Sequence, residues 1–324
     1  MNEELSSLII DRSTLKNVNL IAVGTFGNVK KGILPGNENQ PNKIYAIYDI
    51  NPSLIQDEKE QEGFYNEIRC LNSLNHEAIL KFIGFSIPTE SDSNYSIICE
   101  YMKNDTLKKL IQDVERSHAP ANWDTIKAIN IFGIAAGMAY IHQHNVIHRD
   151  LKPSNVFLDS NFYPKIGDFG LSKFFIEGTE NELNQTLNVG TPIYMAPEVI
   201  ENSHYSNKID VFSYSIILYQ LLTQNEPYYD AERLNAFTLF KNVAGGVRPT
   251  ICPCEINSQF MKLIERCWSG DPDNRPSFIQ IVKKYMDCRD EFFNDQYLDD
   301  EQFDDYIEIV TKDLDFSNVE DFIL

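Results

Sequence analysis

Three short polar motifs in a fixed order constrain this chain more than any other feature. His148-Arg149-Asp150-Leu151-Lys152-Pro153-Ser154-Asn155 comes first. Asp168-Phe169-Gly170 begins thirteen residues after Asn155, and Ala196-Pro197-Glu198 follows. Either tripeptide alone is weak evidence. All three in register are far more specific than a run of solvated loop residues.

The sequence changes character along its length. Ile21 to Gly32 carries glycines and β-branched residues, Leu34-Pro35-Gly36-Asn37 is a turn cluster, and Tyr45-Ala46-Ile47-Tyr48 resumes as a strand. Phe64, Ile68 and Leu71 fall at helical spacing within Phe64 to Leu74, with Glu67 on an adjacent face. Ile79 to Phe85 and Tyr95 to Tyr101 read as further strands. Beyond Asp105 the pattern turns helical: Trp123 to about His144 behind an Asn122 cap, then Ile209 to Leu222 and Ser258 to Trp268. A mostly β amino-terminal part thus meets a mostly α carboxy-terminal part near Glu100 to Met102. With 43% hydrophobic and 12% aromatic residues, the 324-residue chain can build one large core or two packed lobes.

Several classes are argued against. Asn2-Glu3-Glu4 and the short Leu8-Ile9-Ile10 run do not make a signal peptide. The apolar stretch from Ile126 to Ile141 is interrupted by Lys127 and Asn130 and falls short of the roughly 20 residues that span a bilayer. Six scattered cysteines lack the density of a disulfide framework, and Cys252-Pro-Cys254 has no second pair or histidine to make a zinc site. Reduced thiols and a cytoplasmic location are expected. Net charge is −20, of which residues 287–324 carry −12 and the rest of the chain −8. That balance argues against nucleic-acid or anionic-membrane partners. The acidic tail also holds Phe292, Phe293, Tyr297, Phe303, Tyr306 and Ile307. Two fates are open to it: solvation, or docking as an amphipathic helix.

The three motifs resemble those of eukaryotic serine/threonine protein kinases, most closely the tyrosine-kinase-like group. The resemblance runs from roughly Leu15 to Met286. It implies an α+β, bilobal fold: a small antiparallel β-sheet N-lobe with one helix (about 15–100), a hinge (100–103) and a larger, mainly α-helical C-lobe (about 104–286), followed by an acidic tail (287–324). It also implies phosphoryl transfer from ATP, with Mg2+, to serine or threonine hydroxyls of protein substrates. In that chemistry Asp150 accepts the hydroxyl proton, Lys152 offsets charge on the moving group, and Asn155 and Asp168 hold magnesium. Lys152, with Gly190-Thr191-Pro192, resembles serine/threonine rather than tyrosine kinases. Ala22, Gly24, Gly27 and Val29 occupy the glycine-rich loop pattern, Ala46 the adenine contact, Cys99 the gatekeeper position, Glu100 and Met102 the hinge, and Phe157 the pocket floor. Asp210 would brace the Asp150 loop, and Arg275 would pair with Glu198. Thr186 and Thr179 are candidate phosphorylation sites, beside Glu177, Glu180 and Glu182 in the same loop. A regulatory partner could engage the acidic tail.

Two positions depart from the family pattern. The first loop glycine is Ala22. More consequentially, Tyr45-Ala46-Ile47-Tyr48 stands where the family has Val-Ala-Ile-Lys, so a phenol replaces the lysine that contacts phosphates and pairs with Glu67. Lys43 cannot substitute, being about 16 Å away along a strand and on the opposite face. Lys31 lies beyond the adenine contact, and the third-glycine position remains Gly27. The resemblance therefore implies an active but weakened kinase, or alternatively a pseudokinase that acts as a nucleotide-binding or scaffolding module.

Overall fold

Alternating burial along one strand, Lys43–Ile50, organises the amino-terminal region. Tyr45, Ile47 and Asp49 are buried while Ala46 and Tyr48 are only half-buried, the period-2 pattern of a strand with two different faces. In the computed structural model, which describes residues 3–24, 27–36, 41–90, 92–167, 192–200, 206–228, 236–252 and 256–324, this is β3 of a five-stranded antiparallel sheet. Its order is β1 (Lys16–Val23), β2 (Gly27–Leu34), β3, β5 (Ser96–Glu100), β4 (Phe82–Ser86).

The described residues divide into two compact units, 3–75 with 80–103 and 76–79 with the described residues from 104 onward. In the first, Leu15, Tyr45, Ile47 and Ile98 form a core, with Ile10, Leu34 and Ile83 packed against it. The segment ahead of β1, including the short α1 (Glu3–Ser6), contributes to this sheet. The Ile10 N–H donates to the Phe85 carbonyl at 2.8 Å, and the Phe85 N–H donates to the Leu8 carbonyl at 3.0 Å. Gly84 permits that approach, since a Cβ there would stand 2.5 Å from the Leu8 oxygen. Helix α2 (Glu58–Ser73) starts six residues before the expected Phe64, because Asp57 and Glu60 form a reciprocal capping box. It buries Phe64, Glu67 and Ile68.

The second unit is built round α4 (Trp123–Gln143), in which Thr125 to Ile141 are buried apart from Lys127. Asn122 takes the cap position as expected, though its side chain makes no capping bond. Asn130, read as an interruption of an apolar run, donates from Nδ2 to the Ile126 carbonyl (2.8 Å) and the Phe162 carbonyl (2.9 Å), which satisfies its buried amide nitrogen. The other elements of this unit are α3 (Leu107–Glu115), β6 (Val156–Leu158), β7 (Pro164–Ile166), α5 (Pro197–Ile200), α6 (Lys208–Thr223), α7 (Ala236–Ala244), α8 (Ser258–Cys267), α9 (Phe278–Asp287), α10 (Arg289–Phe292) and α11 (Asp300–Thr311). No helix among the described residues is long and apolar enough to cross a membrane. Ile79, expected in a strand, instead bridges Ile166 within this unit, and β4 begins at Phe82.

The acidic tail docks. Helix α11 buries Phe303, Tyr306 and Val310 against α4, while its carboxylates face outward. Phe303 meets Phe132 and Phe293 edge-on, and Tyr306 meets Tyr163. The Tyr306 hydroxyl lies over Gly133, where a Cβ would be only 2.2 Å from it. Burying Phe303 and Val310 stabilises by about 1.5–3 kcal/mol each, and Arg289 pins Asp300 and Asp304 at 2.7 and 2.8 Å.

Candidate active site

Register places most of the sequence-predicted sheet residues on one face. Residues directly opposite in neighbouring strands share a face. Ala22 pairs with Val29, Val29 with Tyr48, and Tyr48 with Ile97. Lys31 pairs with Ala46, and Ala46 with Cys99. Ala22, Val29, Ala46, Tyr48 and Cys99 thus lie together. Between β1 and β2 the Gly24 N–H donates to the Gly27 carbonyl at 2.8 Å and closes the turn. Gly27 has no room for a side chain: a Cβ there would stand 2.1 Å from the Asp49 carbonyl oxygen and 3.1 Å from Cζ of Tyr48. Glu100 closes β5, its carboxylate accepting the Lys81 N–H at 2.8 Å. Met102 follows it, half-buried, and Glu67 is buried on α2.

Both lysines of β2 are engaged with other groups. Lys30 pairs with Asp49 at 2.6 Å on the face opposite Tyr48, where Arg12 and the Ser96 hydroxyl (2.7 Å) also reach that carboxylate. Burial works to raise the Asp49 pKa, but the hydrogen bonds from Arg12, Lys30 and Ser96 outweigh it and hold it below the usual carboxylate range. Lys31 lies over the Tyr101 ring, 4.5 Å from its centroid.

In the helical unit the polar loop from His148 to Asn155 is held by a set of hydrogen bonds. Arg149 adopts a left-handed conformation (φ 69°), which turns consecutive N–H groups toward one acceptor. That acceptor is the fully buried carboxylate of Asp210 on α6, which receives the His148 N–H at 2.9 Å and the Arg149 N–H at 2.8 Å. His142, in the last turn of α4, donates Nε2–H to the same carboxylate at 2.8 Å. Burial raises the Asp210 pKa, yet the His142 hydrogen bond and the backbone donor at His148 help bring it below its ordinary value. Burial holds the His148 imidazole neutral, below its ordinary pKa. Its Nε2–H donates to the Gly167 carbonyl at 3.3 Å, and its Nδ1 accepts the Asp150 N–H at 3.3 Å.

This frame presents Asp150. One of its carboxylate oxygens accepts from Lys152 Nζ at 2.6 Å and Asn155 Nδ2 at 2.9 Å, and Asn155 Nδ2 also reaches the Asp150 carbonyl at 2.8 Å. Asp150, Lys152 and Asn155 therefore converge. Phe157 lies in β6, where it bridges Thr106. The expected Glu198–Arg275 pair is bidentate, at 2.6 and 2.9 Å, with Arg275 also donating to the Ser269 and Lys208 carbonyls. Asp168, Phe169, Gly170, Glu177, Thr179, Glu180, Glu182, Thr186, Gly190 and Thr191, with Cys254, lie outside the described residues.

His142 and the Arg12–Asp49–Lys30 cluster were not singled out in the sequence. A histidine in the last turn of a buried helix was the one available signal for the former. For the latter there was none, because Arg12 and Asp49 stand 37 residues apart.

Sequence comparisons agree with the geometry. The model of the protein kinase domain matches residues 15–286, and the chain belongs to that family. It is 34% identical over 280 residues to a probable serine/threonine-protein kinase of Dictyostelium discoideum, covering 86% of this chain and 20% of that protein. It is 32% identical to the dual specificity protein kinase shkB of the same organism (87% and 41%). It is also 32% identical to the serine/threonine-protein kinase VIK of Arabidopsis thaliana (87% and 61%). The chain thus spans between a fifth and three fifths of the length of these relatives.

Proposed function

We propose that this chain is an ATP-dependent protein kinase of the tyrosine-kinase-like kind, transferring the γ-phosphate to serine and threonine hydroxyls of protein substrates, with a step slowed by Tyr48. The observation that carries this reading is the Asp150 carboxylate, held by Lys152 and Asn155 in a loop braced by Asp210. Asp150 takes the proton of the attacking hydroxyl, and Lys152 offsets charge on the phosphoryl group. Commitment of Asn155 Nδ2 to Asp150 leaves the amide oxygen as the acceptor atom, a hard ligand suited to magnesium. Asn155 and Asp168 would hold Mg2+, which supplies charge neutralisation to the phosphates when bound. Ala22, Gly24, Gly27, Val29, Ala46, Cys99, Glu100, Met102 and Phe157 would receive the nucleotide, with Glu67 beside Tyr48. Residues 15–286 would form the catalytic domain, with lobes dividing at the 100–103 hinge. The scattering of six cysteines along so long a chain supports a reducing, cytoplasmic setting.

Loss of one preorganised charge lowers a rate by roughly 10²–10³. A second reading, a pseudokinase acting through nucleotide or protein binding, is favoured by Tyr48 in β3. Phosphate transfer from Mg-ATP to a generic basic protein, with Asp150→Asn as the blank, decides between them. Activity above the blank supports the kinase. Native silence with activity restored in Tyr48→Lys supports the pseudokinase.

A further inference from the structure

The position of the Tyr48 ring bears on which part of a nucleotide the sheet face can recognise. Tyr48 sits in the row Ala22, Val29, Tyr48, Ile97. Its ring tip reaches the first residue of β2, where Cζ stands 3.1 Å from the place a Gly27 Cβ would occupy. The phenol therefore lies along the flank of the glycine turn. One N–H of that turn, from Gly24, is already spent on the Gly27 carbonyl at 2.8 Å.

Among the described residues of β2, the lysines beside this face serve other groups. Lys30 belongs to Asp49 on the opposite face, and Lys31 to the Tyr101 ring. A polyphosphate reaching the turn meets a neutral aromatic edge. The neighbouring row, Ala46 and Cys99, is small and weakly polar and suits a flat heterocycle. Charge-assisted hydrogen bonds are what make a site count phosphates, and a phenol of ordinary pKa about 10 carries no positive charge to make them with.

We propose that this sheet face recognises the nucleoside portion of an adenine nucleotide and that Tyr48 removes its discrimination by phosphate number. Adenosine, AMP, ADP and ATP then bind with nearly equal affinity through the protein's own groups. The inference rests on the nucleotide-binding reading of the site. It goes beyond that reading by assigning Tyr48 a role in ligand selection that is separate from turnover.

The test is calorimetric titration of the full chain with adenosine, AMP, ADP and ATP, in EDTA so that metal-mediated contacts are absent. The four dissociation constants of the native protein should agree within about threefold. Tyr48→Lys should tighten ATP and ADP by roughly tenfold or more, the scale of one hydrogen bond to a charged group, and leave adenosine unchanged. Tyr48→Arg serves as a second cation if the lysine variant melts earlier than the native chain. Native preference for ATP over adenosine by more than tenfold overturns the proposal while leaving the kinase reading intact. The native measurement needs no variant to fold. Absence of binding by all four ligands overturns both the proposal and the nucleotide reading on which it rests.

Discussion

Asp49 and Asp210 are both buried carboxylates, one in the sheet unit and one in the helical unit, and they are compensated in different ways. Asp49 is met by two side-chain cations and a hydroxyl, so its charge is cancelled locally and holds the segment ahead of β1 onto the sheet. Asp210 is met by two backbone N–H groups and an imidazole, so its charge fixes the conformation of the loop that presents Asp150. In the sheet Arg12 and Lys30 are spent on Asp49, on the face opposite Tyr48, and Lys31, on the face of Tyr48, lies over the Tyr101 ring. In the loop the buried charge orients other groups and leaves Asp150, Lys152 and Asn155 converging on one oxygen. Similar burial can thus serve attachment in one place and alignment in another. The way to tell them apart is to see which atoms supply the compensation.

The sharpest way to break this contrast is to neutralise each carboxylate of the loop and of the sheet in turn. Asp150→Asn should lower phosphate transfer by roughly 10²–10⁴, read as initial rates at saturating Mg-ATP. Asp49→Asn should leave transfer per folded molecule within about threefold. Equal losses from both would erase the distinction.

Stability gives the next largest effects. Glu198→Gln strands Arg275, whose guanidinium is fully buried, and should cost about 3–5 kcal/mol in denaturant unfolding. Phe303→Ala in α11 should cost about 3–5 kcal/mol through the cavity it leaves. If Phe303→Ala proved neutral, the docked tail would contribute nothing to the helical unit.

Acid should separate imidazoles from carboxylates. His76 and His148 both have pKa values held below 6.5, with burial as the leading cause, so the folded chain binds fewer protons than the unfolded one as pH falls. The stability linked to this is present above about pH 6.5. It is lost progressively as pH falls toward the depressed folded values. Asp49 and Asp210, held below 3.8, contribute stability that persists until pH falls below that value and approaches their lowered pKa values. Unfolding curves between pH 7 and pH 3 should therefore show two successive losses, and His76→Gln should reduce the first.

The smallest effect concerns Tyr306. Its buried hydroxyl makes no hydrogen bond among the described residues, so Tyr306→Phe should stabilise by about 1 kcal/mol. Gly133→Ala should instead destabilise, since the new methyl would meet that hydroxyl and the Pro164 ring.

How much could be read beforehand follows from how local each signal is. The three motifs announced the loop, because its chemistry is written in consecutive residues. The Glu198–Arg275 pair followed from resemblance alone. The start of α2 was legible in Asp57 and Glu60 but was placed at Phe64, because apolar spacing marks the buried part of a helix and not its cap. Arg12 gave no sign of its role, because its partners lie in β3 and β5. The fate of the tail was undecidable from composition: acidic and aromatic residues alternate there, and the cleft that accepts Tyr306 exists only because residue 133 is a glycine.

That docked tail also bears on how the chain is made. The bond from His76 to the Val310 carbonyl spans 234 residues. At about 5–20 residues per second, roughly 10–50 s separate synthesis of its two ends. From the synthesis of α4 until that of α11, the Gly133 cleft lacks its aromatic filling and presents apolar surface to solvent. Nascent chains shorter than residue 310 should therefore be clients of holdase chaperones, and release from them should coincide with emergence of α11 from the ribosome.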